Sequence, residues 1–179
     1  MFLLEGDVDT IQRIDPSAIV PAPYFEFCDQ KGRLYVSGYA LATNEEGVCV
    51  FLDNGLCRIY GDRPTICRVY PYMLHREADE EGNIDWRQLS GLNQHGCYHT
   101  EISNEECERI AQQVKDYEKE YLEHKIRFLK RMDAHFKESN LRHVQRTYDQ
   151  QMRRIAGGEE VEVFVFHNSE LHPHFLNSD

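Results

Sequence analysis

The chain has 179 residues, with 31 Asp/Glu against 20 Lys/Arg, a formal net charge of −11 and 41% hydrophobic residues. That length suits one domain with an appended helical lobe and leaves room for a real core. No apolar run approaches the roughly 18 residues that a bilayer span needs, and the opening Met-Phe-Leu-Leu-Glu-Gly-Asp lacks a basic leader region. The expected compartment is therefore the reducing cytosol, where six cysteines serve as thiols or metal ligands rather than as disulfides.

In chain order, residues 1–14 carry Val8, Ile11 and Ile14 at helical spacing and predict a short amphipathic helix. Pro16, Pro21 and Pro23 end it. Residues 24–28 and 33–42 read as two strands of a hairpin turning at Lys31-Gly32. Asn44-Glu-Glu-Gly47 reads as a turn, 48–72 as loops with short helical turns, and 76–83 as a polar, exposed stretch. Ser103 with Glu106 forms a capping box ahead of Ile110, Val114, Tyr117, Tyr121, Phe128 and Met132, which recur at helical steps. Ser139-Asn140 interrupts this helix. Leu141, Val144, Tyr148, Met152 and Ile155 then continue a helical face up to Gly157-Gly158. Residues 160–166 look like a buried strand or a docked tail, and His172-Pro173-His174 like a solvated terminus.

Charge is unevenly spread. Residues 124–154 hold nine Lys/Arg and three Asp/Glu, so this segment is +6 and the remainder −17. The segment reads either as the solvated face of a long helix or as a docking face for nucleic acid or another acidic partner. The strongly acidic remainder argues against nucleic acid, which needs a cationic surface.

The cysteines carry the chemistry. They fall at 28, 49, 57, 67, 97 and 107, with no Cys-x-x-Cys pair. Cys49, Cys57, Cys67 and Cys97 are interleaved with Gly47, Gly55, Gly61 and Pro64, chain breakers that let thiolates converge. Four thiolates at about 2.3 Å form a structural zinc shell, and four thiolates also hold iron–sulfur clusters. Spacing alone equally fits scattered buried thiols. Cys28 and Cys107 fit core positions, while His95 and His99 beside Cys97 are alternative nitrogen ligands. No GxGxxG, Walker A, HExxH or GxSxG motif occurs.

Residues 47–72 read Gly-Val-Cys-Val-Phe-Leu-Asp-Asn-Gly-Leu-Cys-Arg-Ile-Tyr-Gly-Asp-Arg-Pro-Thr-Ile-Cys-Arg-Val-Tyr-Pro-Tyr. This resembles the YkgJ-type cysteine-cluster family, the CxxCxxCC zinc- or iron-chelating domains, over roughly residues 1–125. The resemblance implies that Cys49, Cys57 and Cys67 are metal ligands and that Cys97 matches a later family cysteine. The namesake CxxCxxCC run precedes, in that family, a segment like Phe2–Ile14. It is not in this sequence, so a single four-ligand centre is expected, or none. Arg58, Arg63 and Arg68 flank the cysteines and are expected to offset the charge of a thiolate-bound metal, with Tyr60 and Tyr70 packed around it.

The expected fold is α+β: a small, irregular Cys-rich part with short antiparallel strands, buttressed by long C-terminal helices. Residues 1–102 form the metal-binding region, 103–158 the helical region and 159–179 a strand-like tail. The expected function is metal binding, with zinc or an iron–sulfur cluster as cofactor and a structural or redox role. The alternative is a metal-free relative that binds a partner through the basic segment.

Overall fold

The computed structural model describes residues 1–70, 72–78, 80–82, 84–88 and 103–176, with 72–78, 84–88 and Cys107 given by backbone alone. The elements are α1 (Glu5–Ile14), β1 (Ile19–Pro21), β2 (Phe27–Cys28), β3 (Leu34–Val36), β4 (Tyr39–Leu41), β5 (Leu52–Asp53), β6 (Leu56–Cys57), α2 (Thr65–Val69), β7 (Tyr72–Ala78), β8 (Ile84–Gln88), α3 (Asn104–Glu138), α4 (Gln145–Ala156), β9 (Val161–His167) and β10 (Glu170–Leu176). The architecture is α+β, as the sequence implies.

The core forms around β3 and β9, which pair in parallel within a four-stranded sheet of order β10-β9-β3-β2. Alternation along these strands gives the sheet two buried faces. Leu34, Val36, Val161, Val163 and Val165 point to one side, where Tyr148 and Ile155 of α4 cover them. Tyr35 and Phe166 point to the other, against Phe128 and Met132 of α3, with Phe164 at its margin. The Phe128 and Phe166 rings lie 5.7 Å apart. Each such buried side chain contributes about 1.5–3 kcal/mol.

The hairpin at Lys31-Gly32 forms, but on shorter strands than expected. Residues 33–42 split at Ser37-Gly38: β3 joins the main sheet, while β4 pairs with β1. A side chain on Gly38 would meet the Phe2 ring at 2.8 Å, so only glycine lets the N-terminal residues close over β4. There Leu3 N–H donates to the Tyr39 carbonyl (2.9 Å) and Leu41 N–H to that of Met1 (3.0 Å). Gly32 has φ +85° and is pressed against Gln151 of α4, which demands glycine twice over.

Asp29 holds the hairpin turn. Its carboxylate is fully buried and accepts from the amides of Lys31 (2.8 Å) and Arg33 (3.1 Å), from Arg33 Nε (2.7 Å) and from Tyr35 Oη (2.9 Å). Burial opposes its charge, but these donors outweigh burial and hold the carboxyl below its ordinary range.

Helix α3 begins where the capping signal placed it, with Ser103 Oγ accepting from Glu106 N–H (3.2 Å). It runs for 35 residues and ends before Asn140, whose φ is +51°. It lies along α2 and β7. Much of its positive charge is paired within the chain: Lys125 with Glu26, Arg127 with Glu5 (3.2 Å) and Lys137 with Asp133 (2.7 Å). Of residues 76–83, expected to be a polar, exposed stretch, 76–78 end strand β7, which pairs with β8. The tail is no solvated terminus. β10 zips onto β9 through the two-residue turn Asn168-Ser169, both with positive φ, and Pro173 is tolerated because β10 is an edge strand. Among the described residues no helix is long and apolar enough to cross a membrane.

Candidate metal centre

Three of the four expected cysteine ligands lie on three different short elements. Cys49 follows the Asn44–Val48 turn, where Asn44 Oδ1 accepts from the amides of Glu46 (3.1 Å) and Val48 (2.9 Å), and it bridges back to Thr43. Cys57 sits on β6 opposite Leu52, at the base of a hairpin whose tip is Asn54-Gly55, both with positive φ. Cys67 is the central residue of α2, its amide donating to the Pro64 carbonyl (2.9 Å). All three are free thiols and half-buried, whereas Cys28 is a free thiol buried completely in the main core, as expected.

Electrostatics ties the three together. The Cys67 thiol is pushed up to about 11, first by burial and then by the charges of Cys49, Cys57 and Asp7, with Arg63 acting in the opposite direction. Burial and the negative charge nearby favour the protonated thiol at Cys67, and a bound cation would reverse that preference. Among the described residues no three His, Cys, Asp or Glu side chains are gathered tightly enough to ligate one ion. Cys97, His95 and His99 lie outside the described residues, as does the side chain of Cys107.

The three arginines do different things. Arg63 is the one whose charge reaches Cys67, and its guanidinium lies 4.0 Å from the centre of the Tyr60 ring. Arg58 donates to the Val50 carbonyl (2.8 Å) and lies over the Phe51 ring. Arg68 donates to Thr65 Oγ1 (2.9 Å). Tyr60 and Tyr70 were expected to be packed, but they are 65% and 41% exposed. Arg63 covers one face of Tyr60 and leaves the rest to solvent.

Two neighbours of Cys67 had no sequence signal. Met1 brings its thioether sulfur to 3.0 Å from Cys67 Sγ. Asp7, buried in the first turn of α1, accepts from Leu4 N–H (3.3 Å) with one oxygen and from Thr65 N–H and Oγ1 (both 2.9 Å) with the other. One carboxylate thus caps α1 and fixes the start of α2, which carries Cys67. Replacing Asp7 with alanine should cost about 2–3 kcal/mol, since it strands buried donors on both helices. Urea unfolding of the two proteins measures this, and a loss below about 0.5 kcal/mol would show that Asp7 is not the clamp.

A protein-family model described as "Putative zinc- or iron-chelating domain" (CxxCxxCC) matches residues 10–108, more than half of the chain. No curated protein and no solved structure matches.

Proposed function

Because the chain belongs to the CxxCxxCC family of zinc- or iron-chelating domains, we propose that it binds one zinc ion or one iron–sulfur cluster through Cys49, Cys57, Cys67 and Cys97. The observation that carries this reading is the family match over residues 10–108, which spans all four cysteines, and the influence of Cys49 and Cys57 on the Cys67 thiol supports it. Soft thiolate donors suit both metals. Arg58, Arg63 and Arg68 flank the cysteines in the chain, and of the three Arg63 offsets the negative charge at Cys67.

When bound, zinc would close the shell and staple α2 to the two loops before it, whereas a cluster would supply one-electron chemistry. The protein's own part is the same in both cases. It carries three partly buried thiols on three short elements and anchors α2 through Asp7 and Thr65. The free state of Cys28, Cys49, Cys57 and Cys67 fits a reducing compartment, and we place the protein in the cytosol.

Loading should raise stability in proportion to metal affinity, because an ion bound only by the folded chain stabilises it by mass action. Thermal unfolding of the protein as purified, with and without a strong chelator, tests this. A drop of several degrees on chelation is expected. An unchanged midpoint in a sample shown to carry metal would rule out a structural role for the site. The competing reading is a metal-free protein that docks an acidic partner through residues 124–154, and the ion pairs of Lys125, Arg127 and Lys137 work against it by consuming that charge internally.

A further inference from the structure

The helix α3 has a core row, Val114, His124, Phe128 and Met132, all nearly inaccessible. Turned about 200° from His124 and Phe128 stand Leu122 and Ile126, with Leu129 one turn on. Each of these three is 51% exposed. Steps of four and three between apolar residues are the repeat of a helix-pairing seam. A soluble helix has no reason of its own to set three large aliphatics in a line on its outer face.

The seam runs into a hollow of about 240 Å³ lined by Phe27, Leu129, Met132, Asp133 and Phe136. Four of these residues lie at i, i+3, i+4 and i+7 of α3. That is the outline of a hole that receives one side chain of a facing helix in knobs-into-holes packing. The carboxylate of Asp133 is drawn to the rim by Lys137 (2.7 Å), which leaves the hole apolar. A knob of fitting chemistry, Leu122, lies two turns back on the same helix.

We propose that α3 is the dimer interface of this protein: it pairs antiparallel with α3 of a second copy about a twofold axis, each Leu122 filling the other's hole. Knob and hole on one element make the surface self-complementary, as a twofold dimer requires. With Leu122 facing Asp133 of the other copy, Ile126 faces Leu129. Glu123 and Lys130, both exposed on one flank of the seam, then meet across the axis as two symmetric Glu–Lys pairs. A parallel pairing would instead hold Glu123 and Lys130 about two turns apart along the axis, out of each other's reach. Charge therefore selects a second copy of this chain, in the antiparallel sense.

Sedimentation velocity of the full chain over a wide concentration range tests the proposal. A species of twice the chain mass is expected, and Ile126→Glu should reduce it to one chain with an unchanged far-UV spectrum. Glu123→Lys and Lys130→Glu, each placing like charges across the axis, should each weaken the dimer about tenfold, and the double swap should restore it. A single-chain mass at every concentration, a dimer indifferent to Ile126→Glu, or a double swap no better than the single ones would overturn it.

Discussion

Replacing Asp29 with alanine is expected to lower stability at neutral pH by about 3–5 kcal/mol, the range for removing one partner of a buried, hydrogen-bonded ion pair. The carboxylate is wholly out of water and satisfies two turn amides, Tyr35 Oη and the Arg33 guanidinium, whose Nη2 lies 2.6 Å away. Without it, the buried Tyr35 hydroxyl and the part-buried Arg33 guanidinium lose their acceptor, and the hairpin that starts the main sheet loses its pin. The effect also has a pH signature. The folded carboxyl is held below its ordinary value, so the native state contributes extra stability above the unfolded carboxylate value of about 3.9 and loses it as pH falls from there through the folded value. Stability of wild type and Asp29→Ala should therefore differ most near neutrality and converge in acid below about pH 4. Urea unfolding across that range measures it. A gap under about 1 kcal/mol at pH 7, or one that widens in acid, contradicts this account of the turn.

Changing Cys67 to serine should cut metal affinity by at least about a hundredfold. Loss of contacts behind the ligands already costs about 10–100-fold at such sites, and here a proposed ligand itself goes. Cys49→Ser and Cys57→Ser should behave alike. Cys28→Ala is the matching control: it removes a fully buried thiol from the main core, so it should cost stability and leave metal content intact. Competition against a chelator of known affinity separates these cases. Equal retention of metal by all four variants would remove Cys49, Cys57 and Cys67 from the ligand set.

The sequence was most legible where one local pattern settled the outcome. Helix α3 carries a capping serine and apolar residues at steady helical steps, and β9 carries Val-Glu-Val-Phe-Val-Phe, which a buried strand uses on both faces. Legibility failed where a distant partner decided. Residues 33–42 read as one strand around the β-prone Leu34-Tyr35-Val36, but they divide at Ser37-Gly38, where Phe2 packs on Gly38 and Met1 and Leu3 pair beside β4. His172-Pro173-His174 looks like a loose end until β9 is there to pair with it, and Tyr39 Oη then meets His174 Nε2 at 2.8 Å. At the proposed site, Cys49, Cys57 and Cys67 stood out through the resemblance of residues 47–72 to the family, since their spacing equally fits scattered thiols. That Arg63 rather than Arg58 or Arg68 acts on Cys67 depends on side-chain directions within three short turns. That Asp7 anchors Thr65 depends on a contact across 58 positions. Neither leaves a periodic trace.

Metal analysis with a visible absorption spectrum, made on protein purified anaerobically without added metal, tests the central claim most directly. The account predicts a stoichiometric metal: one zinc per chain in a colourless sample, or iron in a brown one with thiolate-to-iron absorption. A chain that carries neither zinc nor iron under those conditions, while remaining folded, would contradict it.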